Sequence, residues 1–291
     1  MPITRPYPNP EDEHKHWQEI IAEHDQLMAT LPEYLRDNAK RISNLKPQKL
    51  PSLKKNYLGW KEDPMKRLYQ RFPKNEIQRG DLVALYEEWL DPVLALVATL
   101  VWGGIDTRTQ QRLQRILEEP ENILILKMNR IRDLILQSRF QDAFLSCCKD
   151  GENQIPGIGV SYFTKVFFFI GEATPKLALK PLIFDKWTIN AFFALHGQEQ
   201  GGLNLLKRYF TFPSVESLRK NRRVTLKTNV GLQAEAYQLY IESVRRWTNV
   251  LIDVTPAKLE EFVFGTDLKR DKSSTNPRIE LLAIIKKVIK P

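Results

Sequence analysis

The residues best suited to chemistry begin at a glycine-rich turn. The stretch Ile155-Pro156-Gly157-Ile158-Gly159 leads directly into a helical, apolar pattern that runs to Ile170. A Gly-x-Gly turn that opens into a helix lets the backbone approach an anion closely, and the helix start adds unpaired N–H groups and a positive dipole end. The pattern indicates a phosphate-binding turn made by Gly157, Ile158, Gly159, Val160 and Ser161. The alternative is a turn that only caps its helix. A dinucleotide fingerprint is excluded, because no strand precedes the turn and the third glycine is missing.

Two ionisable residues accompany this turn. Asp185 follows the short apolar run from Pro181 to Phe184 and stands where the next helix begins, a position typical of an ordinary helix cap. Lys165 is the one charge in a strongly apolar helix, and it lies one turn after Ser161, so the two side chains share a helical face.

The combination of IPGIG and the later PLIFD resembles the helix-hairpin-helix DNA glycosylase superfamily, in which a Leu/Ile-Pro-Gly-Val/Ile-Gly hairpin is followed by a catalytic Asp at a helix start. The runs YFTK and PLIFDKW look most like the bacterial 8-oxoguanine-glycosylase-fold family, which includes DNA glycosylases of phage defence. The resemblance is sharp over roughly residues 150–197, and residues 1–80 resemble no family that we can name.

The resemblance implies that Asp185 stabilises the positive charge that develops on deoxyribose and orients the attacking water. Members that also nick the strand carry a Schiff-base Lys two residues beyond the second Gly. Ser161 stands there in this chain, which matches members that only remove the base. Lys165 is the alternative amine nucleophile, since its spacing to Asp185 is close to that of the superfamily. A structural lysine that reaches solvent or pairs with Asp185 is the other interpretation.

The target base must leave the stack and enter a pocket with flat walls. The candidates for these walls, each of which could equally be a core residue, are Trp187, Tyr162, Phe163 and Trp102. Candidate contacts to the DNA backbone outside the hairpin are Lys149, Arg222 and Arg223.

The charge of the chain fits a polyanionic partner. The formal net charge is +9. Residues 36–79 hold thirteen basic and four acidic side chains, residues 207–227 hold seven and one, and residues 1–35 hold two and seven. Such an uneven distribution favours binding to nucleic acid, although lysine-rich segments are also often simply solvated.

Other classes of protein are excluded by what the sequence lacks. We find no secretory signal and no apolar run of about 18 residues that could span a membrane. Cys147 and Cys148 are adjacent and cannot form a disulfide framework, and the four histidines show no metal-ligand spacing. We therefore expect a cytoplasmic monomer without a metal site or cofactor, with a monovalent cation at the hairpin as a possible addition.

The periodicity of apolar residues predicts a mainly α protein with the helix-hairpin-helix DNA glycosylase fold and an added basic N-terminal segment. We expect a helical arm and basic segment over residues 1–80 and a helical glycosylase core over 81–291, with the hairpin at 152–170 and the catalytic helix starting near 185. The helices are expected at 11–31, 81–101 with a break at Asp91–Pro92, 107–117, 122–148, 186–196, 203–210, 231–252, 256–264 and 277–289. Between residues 44 and 75, prolines indicate a linker or a set of short helices.

These observations predict a DNA glycosylase that flips a modified base out of double-stranded DNA and hydrolyses its N-glycosidic bond, leaving an abasic site. The preferred target is a hypermodified cytosine, such as glycosylated hydroxymethylcytosine, in defence against phage. One alternative is an 8-oxoguanine repair glycosylase with lyase activity. The other is a non-catalytic helix-hairpin-helix module that binds DNA by shape and charge.

Overall fold

The computed structural model describes residues 28–45, 63–73, 76–105, 111–199, 201–212, 226–229, 231–264 and 276–289, together with Lys15, Gln18, Glu19, Ile21, Ala22, His24 and Asp25. These residues form helices almost throughout, with a single pair of two-residue strands among them. The predicted mainly α fold class is thus confirmed. In the described ranges, we find no helix that combines the length and the apolar character needed to cross a membrane.

The described residues divide into two compact units. Unit 1 spans described residues 63–183, and unit 2 combines those of 15–45 with those of 184–289. The boundary expected near residue 80 does not coincide with this division. The helix at 63–71 packs with the helices that follow it in unit 1, whereas residues 33–43 pack with the C-terminal helices in unit 2.

Unit 1 consists of seven helices in chain order. They are α3 (Asp63–Arg71), α4 (Arg79–Glu88), α5 (Pro92–Trp102), α6 (Gln111–Leu117), α7 (Glu121–Leu136), α8 (Phe140–Cys147) and α9 (Val160–Glu172), the labels α1 and α2 being kept for two earlier helices of unit 2. Helix α5 is the core helix, because every residue from Pro92 to Val101 is buried. A helix that is apolar all round needs neighbours on every side, and α3, α4, α7 and α9 pack against it.

Unit 2 contains two short N-terminal helices and five later ones. They are α1 (Glu33–Asp37), α2 (Ala39–Ser43), α10 (Lys186–Gly197), α11 (Gly202–Tyr209), α12 (Gln233–Val250), α13 (Pro256–Phe264) and α14 (Pro277–Ile289). Strands β1 (Phe210–Thr211) and β2 (Lys227–Thr228) pair antiparallel between α11 and α12. Helix α10 packs against α11, α13 and α14, which places the start of α10 among the C-terminal helices.

Most predicted helices are found, but the long helix expected over residues 122–148 is wrong. Helices α7 and α8 are separate, and Ser138 between them has a φ of 58°. A left-handed residue cannot continue a right-handed helix. Apolar residues continue on both sides of this break, so periodicity alone did not reveal it. The pairing of β1 with β2 was also not predicted, since a two-residue strand is too short to show alternation.

The segment with many prolines contains one helix that the structure describes, α3, and part of the segment lies outside the described residues. Within the predicted helix at 11–31, the residues that are described between Lys15 and Ala29 are helical. Residues 1–14, which include the proline-rich start, also lie outside the described residues.

A buried histidine marks the core of unit 2. His196 is fully buried, and its Nε2 lies 3.0 Å from the hydroxyl of Ser243. The ring of Phe192 approaches it edge-on at 4.6 Å, and the ring of Trp247 lies 5.0 Å away. Burial, reinforced by the neighbouring His24, lowers the pKa of His196 to about 3. The folded chain therefore holds this ring neutral at pH values where an unfolded chain protonates it.

We expect His196 to make the fold sensitive to mild acid. Because the folded pKa lies below the unfolded value near 6.5, its stabilisation is complete above that value and is lost as the pH falls towards 3. The free energy of unfolding should drop by about 2 kcal/mol between pH 7 and pH 5 from this group alone. Urea unfolding of the wild type and of His196→Gln at both pH values measures this. An equal loss in both proteins would contradict the assignment.

Candidate functional site

The glycine-rich turn adopts the hairpin that the sequence predicts. Gly157 has a φ of 89°, a conformation that favours glycine, and the N–H of Ile158 donates to the carbonyl of Ile155 at 3.1 Å. Pro156, Gly157 and Gly159 are exposed, whereas Ile155 is buried. The hairpin therefore presents backbone to solvent and is anchored by its isoleucine.

The hairpin ends where α9 begins. Gly159 is the N-cap with extended backbone, and no side chain caps the helix. The N–H groups of the first turn of a helix have no partner within the helix, and the dipole adds positive potential there. A Cβ on Gly159 would meet no atom within 4 Å, so the surrounding space is open. This turn can accept an oxyanion such as a phosphate.

Two polar residues that the sequence analysis missed hold the hairpin in place. Lys127 on α7 donates to the carbonyl of Gln154 at 2.6 Å and forms an ion pair with Glu119. The fully buried Asn153 donates from Nδ2 to the hydroxyl of Ser146 at 3.0 Å, and its N–H donates to the Ser146 carbonyl at 2.9 Å. These contacts join residues from different elements, and no local pattern signals them.

Lys165 lies on the face of α9 that the spacing predicts. Its Nζ donates to the carbonyl of Ser161 at 2.7 Å and to the Ser161 hydroxyl at 3.1 Å, and it lies 5.6 Å from the ring centroid of Tyr162. The shared face with Ser161 is thereby confirmed. Only 5% of Lys165 is exposed, so its side chain does not extend into solvent. Its pairing with Asp185 would join two units and stays a prediction.

Gly103 makes room for this arrangement. A Cβ at Gly103 would lie 3.1 Å from Cδ of Lys165 and 3.2 Å from Cε1 of Tyr162. Contacts that short are rarely tolerated without movement of a neighbour. The end of α5 therefore packs closely on the first turns of α9. The sequence indicated Gly103 only as the end of a helix.

The three predicted aromatic walls in unit 1 have different environments. Phe163 is buried in the core, in edge contact with Phe144 at 4.9 Å and close to Phe167 at 5.4 Å. Since it packs in the interior, we leave it out of the proposed pocket. Trp102 is half-buried, with the guanidinium of Arg79 lying 5.6 Å from its ring centroid. Tyr162 is also half-buried and lies beside Lys165.

Asp185 in unit 2 occupies the predicted helix start. Its Oδ1 accepts hydrogen bonds from the N–H groups of Trp187 at 2.8 Å and Thr188 at 3.2 Å. The Thr188 hydroxyl in turn accepts from the N–H of Asp185 at 2.9 Å, which completes a capping box. Asp185 is 8% exposed. The carboxylate is thus buried and fixed in one orientation by the first turn of α10.

Trp187 stands beside this cap under two cations. The guanidinium of Arg278 lies 4.1 Å from its ring centroid, and Nζ of Lys186 lies 4.6 Å from it. The indole is half-buried. A base that stacks on Trp187 must share the ring with these cations.

Further charges surround Asp185 within unit 2. Burial lowers the pKa of Arg278 to about 10, while the carboxylates of Asp185 and Glu260 act in the opposite direction. Burial and then the same two carboxylates raise the pKa of Tyr240 well above its usual value. Glu260 is fully buried. The sequence analysis missed these neighbours, since α12, α13 and α14 bring them together only in the fold.

The remaining predicted DNA contacts are less informative. Lys149 is exposed just after α8. Arg222 and Arg223 lie outside the described residues. Among the described residues, no group of three or more His, Cys, Asp or Glu side chains could hold a metal ion.

Comparison with known proteins gives one family. A family model described as "Putative 8-oxoguanine DNA glycosylase OGG-like protein" matches residues 48–264. No curated protein and no solved structure matches the chain. The matched range contains both the hairpin and Asp185.

The two hairpin glycines should respond differently to substitution. Gly157→Ala forces a side chain into the left-handed region and should lower the free energy of unfolding by about 1–2 kcal/mol. Gly159→Ala is the matched control, because its backbone is extended and its Cβ meets nothing within 4 Å, and it should change stability by less than about 0.5 kcal/mol. Urea unfolding compares them, and an equal loss in both would contradict the hairpin geometry.

Proposed function

The chain belongs to the family of 8-oxoguanine DNA glycosylase OGG-like proteins, and we propose that it excises a modified base from double-stranded DNA by hydrolysis of the N-glycosidic bond. The observation that carries the proposal is the carboxylate of Asp185, which is buried and fixed by two backbone N–H groups at the start of α10. Such a carboxylate suits a reaction in which positive charge appears at a defined position.

In the proposed reaction, the bond between C1′ and the base nitrogen breaks as positive charge develops on the deoxyribose ring. The negative carboxylate of Asp185 stabilises that charge electrostatically, and it is already oriented before the reaction begins. Water adds its oxygen to C1′, and its protons pass to the departing base and to solvent. The products are the free base and an abasic site.

The hairpin and the first turn of α9 supply the proposed hold on the DNA backbone. Their exposed backbone and uncapped helix start can bind a phosphate without reading sequence. The proposed contacts there are Gly157, Gly159, Val160 and Ser161, with Ile158 as the anchor below the turn. Tyr162, Trp102 and Trp187 remain the proposed walls of the base pocket.

Two bases are candidates for the substrate. We propose a hypermodified cytosine, such as glycosylated hydroxymethylcytosine in phage DNA, since Ser161 replaces the lysine expected of an oxoguanine glycosylase with lyase activity. 8-Oxoguanine is the alternative, and it is the base named in the description of the family. Mass spectrometry of bases released from DNAs that carry each modification distinguishes the two. Release of no base from any of them would favour a non-catalytic DNA-binding module.

Asp185→Asn should separate catalysis from binding. The amide still caps α10, so the fold and the affinity for duplex DNA should be kept. The negative charge is lost, and base release should fall by roughly 100-fold or more. Asp91→Asn is the matched control, because Asp91 caps α5 by accepting from the N–H of Leu94 at 2.9 Å. Equal base release by the wild type and Asp185→Asn would overturn the assignment.

Borohydride trapping tests the role of Lys165. We expect no covalent adduct between the wild type and abasic DNA, because the amine of Lys165 is buried and bonded to Ser161. Lys180→Gln is the matched control, since Lys180 also donates to helix carbonyls, those of Gly171 and Thr174 at 2.7 Å. An adduct that disappears in Lys165→Gln and persists in Lys180→Gln would make Lys165 a Schiff-base nucleophile and the protein a lyase.

A further inference from the structure

Arg278 on α14 lies outside the range that matches the family, which ends at residue 264. Its guanidinium lies over two aromatic rings, 4.1 Å from the centroid of Trp187 and 4.2 Å from that of Phe264. Its Nε donates to the carbonyl of Phe264, the last residue of α13. The side chain is therefore held at three points and joins the end of α13 to the first turn of α10.

That first turn carries the proposed catalytic carboxylate. The N–H of Trp187 donates to Oδ1 of Asp185 at 2.8 Å, so the position of Trp187 sets the position of the carboxylate oxygen. A cation over an aromatic ring that is partly shielded from water stabilises the pair by more than it would at an exposed site. Arg278 can thus immobilise Trp187, and the backbone of Trp187 in turn orients Asp185.

Electrostatics points to the same place. The positive charge of Arg278 interacts with the carboxylates of Asp185 and Glu260. Its Nη2 atom is buried and meets no hydrogen-bond acceptor within the described ranges. The charge is therefore balanced by these carboxylates at longer range and by the two rings.

We propose that Arg278 is a positioning residue for Asp185, acting through Trp187. This inference rests on the proposed glycosylase function, because it assigns a role in the same reaction. The competing interpretation is that Arg278 only neutralises the buried carboxylate of Glu260 and contributes to stability alone. The two interpretations differ in which second substitution cancels the effect of losing Arg278.

The probe is a duplex in which a pyrrolidine replaces one deoxyribose. Its cationic ring carries the charge of the sugar in the transition state, and it has no base, so the identity of the substrate base does not matter. The measured quantity is the affinity for this duplex divided by the affinity for an unmodified duplex of the same sequence. A general loss of stability or of DNA binding leaves this ratio unchanged.

We expect Arg278→Met to lower this ratio roughly ten-fold and Arg278→Lys to retain most of it. Trp187→Ala should lower the ratio as well. If Arg278 acts through Trp187, the double variant should be no worse than the worse single variant. Arg41→Met is the matched control, because Arg41 lies 5.3 Å from the ring centroid of Phe262 and pairs with Glu280 at 3.1 Å in the same unit. It should leave the ratio unchanged.

Three results would overturn the inference. The first is an Arg278→Met protein with the ratio of the wild type. The second is a double variant in which the two losses multiply, which would make Arg278 and Trp187 independent. The third is full recovery of the ratio when Glu260→Gln is added to Arg278→Met, which would reduce Arg278 to a neutralising partner. A wild type that does not prefer the pyrrolidine duplex would instead refute the proposed glycosylase function, and the inference with it.

Discussion

The pair of hydrogen bonds from the N–H groups of Trp187 and Thr188 to Oδ1 of Asp185 is the interaction on which the proposed chemistry depends. A buried carboxylate is costly unless it is hydrogen-bonded. The start of α10 meets that requirement with backbone groups that would otherwise lack partners. One residue thereby serves the fold as a cap and serves the proposed reaction as an oriented negative charge. The geometry needed for catalysis is set by the same bonds that begin the helix.

Unit 1 uses a helix start in the opposite way. Gly159 precedes α9 without a capping side chain, and its surroundings are open. Where α10 satisfies its first N–H groups with its own aspartate, α9 leaves them to an external anion. This difference explains why glycine suits one helix start and aspartate the other. A side chain at the start of α9 would compete with a phosphate, whereas a glycine at the start of α10 would remove the carboxylate.

The sequence could predict the features whose cause is local. The glycine at positive φ, the cap at Asp185 and the shared face of Ser161 and Lys165 follow from spacing within a few residues. The break between α7 and α8 was missed, because apolar residues continue across Ser138. Lys127 and Arg278 were missed for a different reason. Each contacts atoms of other elements, so its role exists only once those elements have packed.

The same distinction separates what a motif identifies from what a site needs. The family match ends at residue 264, and Phe264 is the residue whose carbonyl accepts from Arg278. The hairpin and Asp185 mark the chain as a member of its family, since both are local patterns. The cation that lies over Trp187 comes from α14, beyond that range. A conserved local motif can thus be supported by a side chain that the motif does not contain, and only the packing of α10, α13 and α14 shows which side chain that is.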